Sequence, residues 1–237
     1  MESDILDNVR ALNKGLQDDQ NHRYRSWEHC FTYFQQRKGI DENIACLHLA
    51  FYLASWGMYR GSSFLLWKDY LIHNEAVREL LSPRYECLWT IDYDNMRENE
   101  SEIDLLFDLI GRIRNCYEIN ISHVNGQKKK VNVTDTLVTK ILLGTIGCVP
   151  AYDNFFISGL RLKNLSFSSL NKKNFWELVE FCQKNSAEFR NAKMEISSSG
   201  VDYPIMKIVD MYFWNVGFAD YMRKKEEPPQ YLQLIPN

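Results

Sequence analysis

Residues 41–59, DENIACLHLAFYLASWGMY, have almost no polar side once Asp41 is set aside as an N-cap. A helix without a polar face has to be enclosed by other elements, so it belongs in the middle of a domain. The 237 residues available to enclose it suffice, at about 150 per domain, for one large domain or two small ones. No linker rich in Pro, Gly or Ser divides the chain, and no repeat recurs at periods of roughly 20 to 50 residues. One domain over 1–237 is therefore expected, with helical halves of about 1–100 and 101–225 flanking a cleft. A chain that is 45% hydrophobic and 25% charged is not disordered, and no apolar run approaches the ~18 residues that span a bilayer. The opening MESDILDNVR lacks a basic segment followed by an apolar one, so a soluble, cytoplasmic protein with no membrane partner is expected.

The remaining periodicity is mostly helical. Ser101 caps a segment over 101–115 in which Ile103, Leu106, Phe107, Ile110 and Ile113 recur at helical spacing. Residues 134–145 begin with Thr134 and Asp135 and place Leu137, Val138, Ile141 and Leu142 on one side. One helix is expected over 174–190, carrying Trp176, Val179 and Phe181, and another over 203–223, with Pro204 near its first turn. The run 211–214 reads as core. Shorter helices are expected at 2–16, 23–37, 71–81 and 153–162, and EEPPQ at 226–230 marks a frayed tail. The fold class is mainly α. Residues 117–133 are the exception: Ile119 and Ile121 alternate with polar residues, Asn125-Gly126 turns the chain, and Val131 and Val133 resume the pattern. A short β-hairpin or a loop both fit that stretch.

Charge is unevenly spread. The formal net charge is −3, but residues 111–175 hold ten basic residues against three acidic ones, leaving 18 of the 28 basic and 28 of the 31 acidic residues for the rest. A basic third inside an acidic chain can make a phosphate-facing surface that the average conceals, or merely a solvated face. The six cysteines include no C-x-x-C and the five histidines no H-E-x-x-H, so reduced thiols, no metal and no cofactor are expected.

The most informative stretch is 134–163: a helix containing Lys140, a turn through Gly144, Gly147 and Pro150, and then Tyr152-Asp153 opening a second helix. Asp153 stands at an N-cap, where backbone N–H groups would fix its carboxylate; it is either a cap alone or a fixed catalytic carboxylate. Thr139-Lys140-Ile141-Leu142 followed by Val149-Pro150-Ala151-Tyr152-Asp153 resembles the pattern S/T-K-x-L, a short apolar stretch and P-x-[aromatic]-D of the helix-hairpin-helix DNA glycosylase superfamily. The likeness covers about 20 of the 237 residues. It implies a single helical domain of glycosylase type that excises a base and leaves an abasic site, in repair or in bacterial defence against phage. In the latter, modified bases such as glucosylated hydroxymethylcytosine are removed from phage DNA. Double-stranded DNA is then the partner.

The chemistry suits these residues. Breaking an N-glycosidic bond builds positive charge on the sugar, which a fixed carboxylate, Asp153, can stabilise while it positions water. Lys140 either attacks the same carbon as an amine or binds phosphate. Lys128, Lys129, Lys130, Thr139, Arg161 and Lys163 are the candidates for the DNA backbone. A glycosylase must also hold the extruded base between aromatic groups. Trp56, Tyr59, Arg60, Ser62, Ser63, Trp67 and Tyr152 are candidates for that pocket, with core packing as the alternative for the aromatic ones. Rival chemistries lack support: no G-x-S-x-G elbow, no P-loop and no G-x-G-x-x-G is present, and Arg114 and His123, with eight residues between them, are too far apart for the R-x(4–6)-H of a HEPN-type RNase. The remaining alternative is a non-enzymatic all-α module that binds nucleic acid or protein.

Overall fold

The computed structural model describes residues 4–94, 96, 101–165, 169–197 and 200–226. The fold is mainly α. Helices α1 (Asp4–Asp18), α2 (Ser26–Phe34) and α3 (Glu42–Ser55) are followed by 3₁₀ turns at Phe64–Trp67 and Tyr70–His73, α4 (Asn74–Leu80) and a 3₁₀ stretch Pro83–Thr90. Then come α5 (Ser101–Asn120), strands β1 (His123–Val124) and β2 (Gln127–Lys128), α6 (Asp135–Thr145), α7 (Asn154–Leu162), α8 (Lys172–Lys184), α9 (Ser186–Ile196) and α10 (Ile205–Glu226). One continuous apolar cluster runs from Ile5 of α1 through α3, α5 and α6 to Phe213 of α10. Among the described residues no helix is long and apolar enough to cross a membrane.

Asp41 caps α3 as its sequence requires, its carboxylate accepting the Asn43 and Ile44 N–H groups. The enclosure of that helix is only partial, which corrects the expectation from its composition. Ala45, Cys46, Leu49, Tyr52 and Leu53 are buried, but Ile44, Leu47 and Phe51 are exposed, Phe51 at 60%. Packing against α2, α4, α6 and the Tyr70–His73 turn uses the other sides of the helix and leaves this stripe open.

Two further expectations change. The helix over 174–190 is two helices, because Asn185 leaves helical geometry at φ −113° and ψ 21° and its Nδ2 donates to the Phe181 carbonyl at 2.8 Å, ending α8. The hairpin exists but is shorter than 117–133. The chain stays helical to Asn120, which puts Ile119 on the exposed end of α5. Only His123↔Lys128 and Val124↔Gln127 pair, around Asn125 and Gly126 at φ 52° and 72°. The EEPPQ tail from residue 227 onward lies outside the described residues.

Helices α7 and α10 set the geometry of the candidate site, and they approach backbone to backbone. A Cβ on Gly159 would overlap the Phe213 carbonyl, and one on Gly217 would overlap the Phe155 carbonyl. Each glycine therefore admits the other helix's main chain, which fixes the N-terminal half of α7 against the middle of α10.

Candidate functional site

Helix α6 begins with the Thr134 hydroxyl accepting the Leu137 N–H at 3.2 Å, and every residue from Leu137 to Thr145 is buried. Gly144 lets it lie against the Tyr52 ring of α3, where any Cβ would collide. Gly147, at φ 78°, turns the chain where a Cβ would meet Pro204 at 2.6 Å. The segment that follows has no sheet or helix to bond to, so side chains satisfy its backbone. The Tyr93 hydroxyl donates to the Cys148 carbonyl, the Ala151 N–H donates to Asp210 Oδ1 at 3.0 Å, and the Tyr152 N–H donates to Thr139 Oγ1 at 2.9 Å. Thr136 Oγ1 donates to the Tyr152 carbonyl at 2.8 Å.

This strap delivers Asp153. Its Oδ1 accepts the Phe155 and Phe156 N–H groups, both at 3.1 Å, and its Oδ2 lies 3.3 Å from Lys140 Nζ. Asp153 is thus a cap and one half of an ion pair at once. The Lys140 side chain is 6% exposed and that of Asp153 15%. Lys140 Nζ also donates to the Trp56 carbonyl at 3.1 Å and lies 5.5 Å from the Trp56 ring centroid.

A second, deeper ion pair adjoins the first. Lys207 Nζ lies 2.9 Å from Asp210 Oδ2, with side chains 5% and 3% exposed, and the same ammonium lies 4.8 Å from the Trp56 ring and 5.2 Å from Trp27. Burial pushes the Asp210 carboxyl above the ordinary carboxylate range; Lys207 opposes that and the nearby Asp153 charge adds to it. Tyr24 stacks on Trp56 at 4.2 Å, and the Trp56 indole N–H has no hydrogen-bond partner among the described residues. Leu12, Tyr24, Trp27, Trp56, Tyr203 and Lys207 line a small cavity of about 20 Å³ on that side. A wider groove, about 460 Å³ and open to solvent, runs past Phe31, Trp89, Tyr93, Gly147 and Pro204. Neither Lys140 nor Asp153 lines either space.

The residues singled out from sequence therefore separate. Trp56 joins Lys140 and Asp153. Tyr59 does not: its hydroxyl bonds His73 Nε2 at 2.8 Å, and His73 Nδ1 bonds the Tyr117 hydroxyl at 2.7 Å, anchoring the segment to α5. Arg60 and Ser62 are exposed, Ser63 caps the Phe64–Trp67 turn by accepting the Leu65 N–H, and Trp67 is exposed. Tyr152 is buried against Phe156, so it cannot face a base in this arrangement. Thr139, expected on the DNA backbone, is fully buried and holds the strap instead. Lys163 pairs with Asp4 at 2.7 Å, while Lys128, Lys129, Lys130 and Arg161 lie exposed.

Three of the ten basic residues of 111–175 pair with acids from outside it. Arg112 pairs with Asp108 and Glu79, Lys172 with Asp104, and Lys163 with Asp4; Arg114 pairs with Asp135 within the segment. Among the described residues no group of three or more His, Cys, Asp or Glu could hold a metal, and all six cysteines are free. Lys207 and Asp210 belong to no motif. The signal that could have found them is a Lys-x-x-Asp pair inside the otherwise apolar IMKIVDMYFW, where charges three apart share one helix face. No protein-family model, curated protein or solved structure matches the chain.

Proposed function

We propose that the chain is a DNA glycosylase that extrudes a modified base and hydrolyses its N-glycosidic bond. The supporting observation is the Lys140–Asp153 pair at 3.3 Å, held at a helix N-terminus and shielded from bulk water. In such a reaction the base leaves with the bonding electron pair and takes up a proton, while water adds to the anomeric carbon and gives up a proton. The Asp153 carboxylate, fixed by two backbone N–H groups, needs little reorganisation to face the developing oxocarbenium charge. Lys140, tied to the Trp56 carbonyl and to Asp153, is turned inward, which favours a role beside the carboxylate over a phosphate contact. The substrate class we propose is modified cytosine in phage DNA, acted on in the cytoplasm.

One observation favours a second reading. Lys140 and Asp153 are withdrawn from solvent and satisfy one another, which suits a purely structural tie in an all-α binding module. Abasic-site formation on duplexes with plain or glucosylated hydroxymethylated cytosine, and on phage DNA, separates the two. The wild type is expected to form abasic sites, and Asp153→Asn, which keeps the capping oxygen, to be slower by about 10²-fold. Equal rates remove Asp153 from its role. No product and no DNA binding at low salt leave the binding module.

A further inference from the structure

Asp210 stands on α10, far from Asp153 in sequence, yet its Oδ1 accepts the N–H of Ala151, two residues before Asp153. Its other oxygen is held by Lys207 at 2.9 Å. Lys207 and Lys140 approach the same Trp56 ring, at 4.8 and 5.5 Å, so two ammonium groups, each paired with a carboxylate, share one indole. We propose that Asp210, oriented by Lys207, is a positioning residue for Asp153: it clamps the Ala151 N–H so that Asp153 caps α7 with Oδ1 and turns Oδ2 to Lys140. The clamp deepens the glycosylase reading, and only its catalytic consequence rests on that reading.

Three physical points carry it. A buried ion pair is poor value as stability alone, since well-packed apolar residues often serve as well, so the use of this one is sought in what it holds. The pair sits on the helix whose backbone meets α7 at Gly159 and Gly217, so α10 and the α7 N-terminus have no slack between them. And the segment between Gly147 and Asp153 owes its shape to side-chain bonds, of which Ala151 to Asp210 lies nearest Asp153 on the α10 side. The other titratable groups facing this unit are Tyr52 from α3 and, across the cavity lined by Trp56 and Lys207, Glu28 from α2 and Tyr203.

Amide hydrogen exchange and excision kinetics on Asp210→Ala and Asp210→Asn test the clamp. Asp210→Ala is expected to speed exchange at Ala151, Phe155 and Phe156 together, although only Ala151 bonds to Asp210. Its kcat for base excision is expected to fall at least about tenfold, with KM for the duplex held within about twofold. Asp210→Asn keeps an oxygen for the Ala151 N–H, and should restore protection at Phe155 and Phe156 and most of kcat. Acceleration at Ala151 alone, or an unchanged kcat in a folded Asp210→Ala protein, overturns the proposal. Should Asp210→Ala not fold, Lys207→Met carries the same exchange readout, and unchanged protection at Phe155 and Phe156 there overturns it. A wild type that excises nothing removes the glycosylase reading, while the exchange measurement still decides the clamp.

Discussion

Thr139 Oγ1 accepts the Tyr152 N–H at 2.9 Å and donates to the Asp135 carbonyl at 2.7 Å, so one buried hydroxyl joins the first turn of α6 to the residue before Asp153. Thr139→Val preserves shape and removes the acceptor, leaving a buried N–H with no partner. The expected cost is about 1–3 kcal/mol, the desolvation penalty of an unsatisfied donor. Urea unfolding of the two proteins measures it; equal midpoints would mean that water or a shifted backbone takes the hydroxyl's place.

Glycines in these helices should respond in opposite directions to alanine. At Gly159 the new methyl overlaps the Phe213 carbonyl, which belongs to another helix's backbone and cannot rotate away. At Gly111 of α5 nothing lies within 4 Å of a Cβ. Gly111→Ala should therefore stabilise by about 0.5–1 kcal/mol through the unfolded chain's lost freedom. Gly159→Ala should destabilise by about 3 kcal/mol or more as α7 and α10 are forced apart. Thermal unfolding of both variants reads the sign directly.

His73 supplies a pH prediction. Burial pushes its pKa down to about 3, and both ring nitrogens are engaged by tyrosine hydroxyls, so the folded protein holds it neutral. The unfolded chain protonates it near 6.5, so below that pH the unfolded state binds the extra proton and stability falls as pH falls toward 3. Above about 6.5 the contribution is complete. The slope approaches about 1.4 kcal/mol per pH unit. Carboxylates add their own slope at the acid end, so the diagnostic quantity is the difference between wild type and His73→Gln over pH 5 to 6.5, where the variant should be flatter.

What the sequence made legible was what local pattern controls. Caps at Asp41, Thr134 and Asp153 and the Asn125-Gly126 turn follow from short-range chemistry and stand in the structure, whereas the pairing of Lys140 with Asp153 is not legible in the chain. The partners of Thr139, Lys163 and Asp210 depend on which helices lie side by side, and no spacing in the chain encodes that. The open stripe on α3 has the same origin, because hydrophobicity says which residues prefer burial and not which side of a helix its neighbours reach. Local charge excess is an incomplete guide for a related reason: Asp4, Glu79 and Asp104 return through space to pair with Lys163, Arg112 and Lys172 far along the chain, while Asp108 meets Arg112 one turn on.

Those ion pairs make salt dependence a quantitative test of the proposed DNA binding. With Arg112, Arg114, Lys163 and Lys172 paired with acids and Lys140 buried, the exposed run Lys128–Lys130 beside the β1–β2 turn offers, among the described residues of 111–175, three adjacent cations open to phosphates. Each phosphate neutralised on B-DNA contributes about −0.9 to the slope of log Kobs against log salt, so three lysines alone give a slope near −2.7. Replacing all three by Gln should flatten that slope by the same amount and weaken binding to every duplex alike, because a phosphate contact reads no base. A slope that survives the triple replacement would assign DNA contact to another surface, and would require the ion pairs of Arg112, Arg114, Lys163 or Lys172 to open on binding.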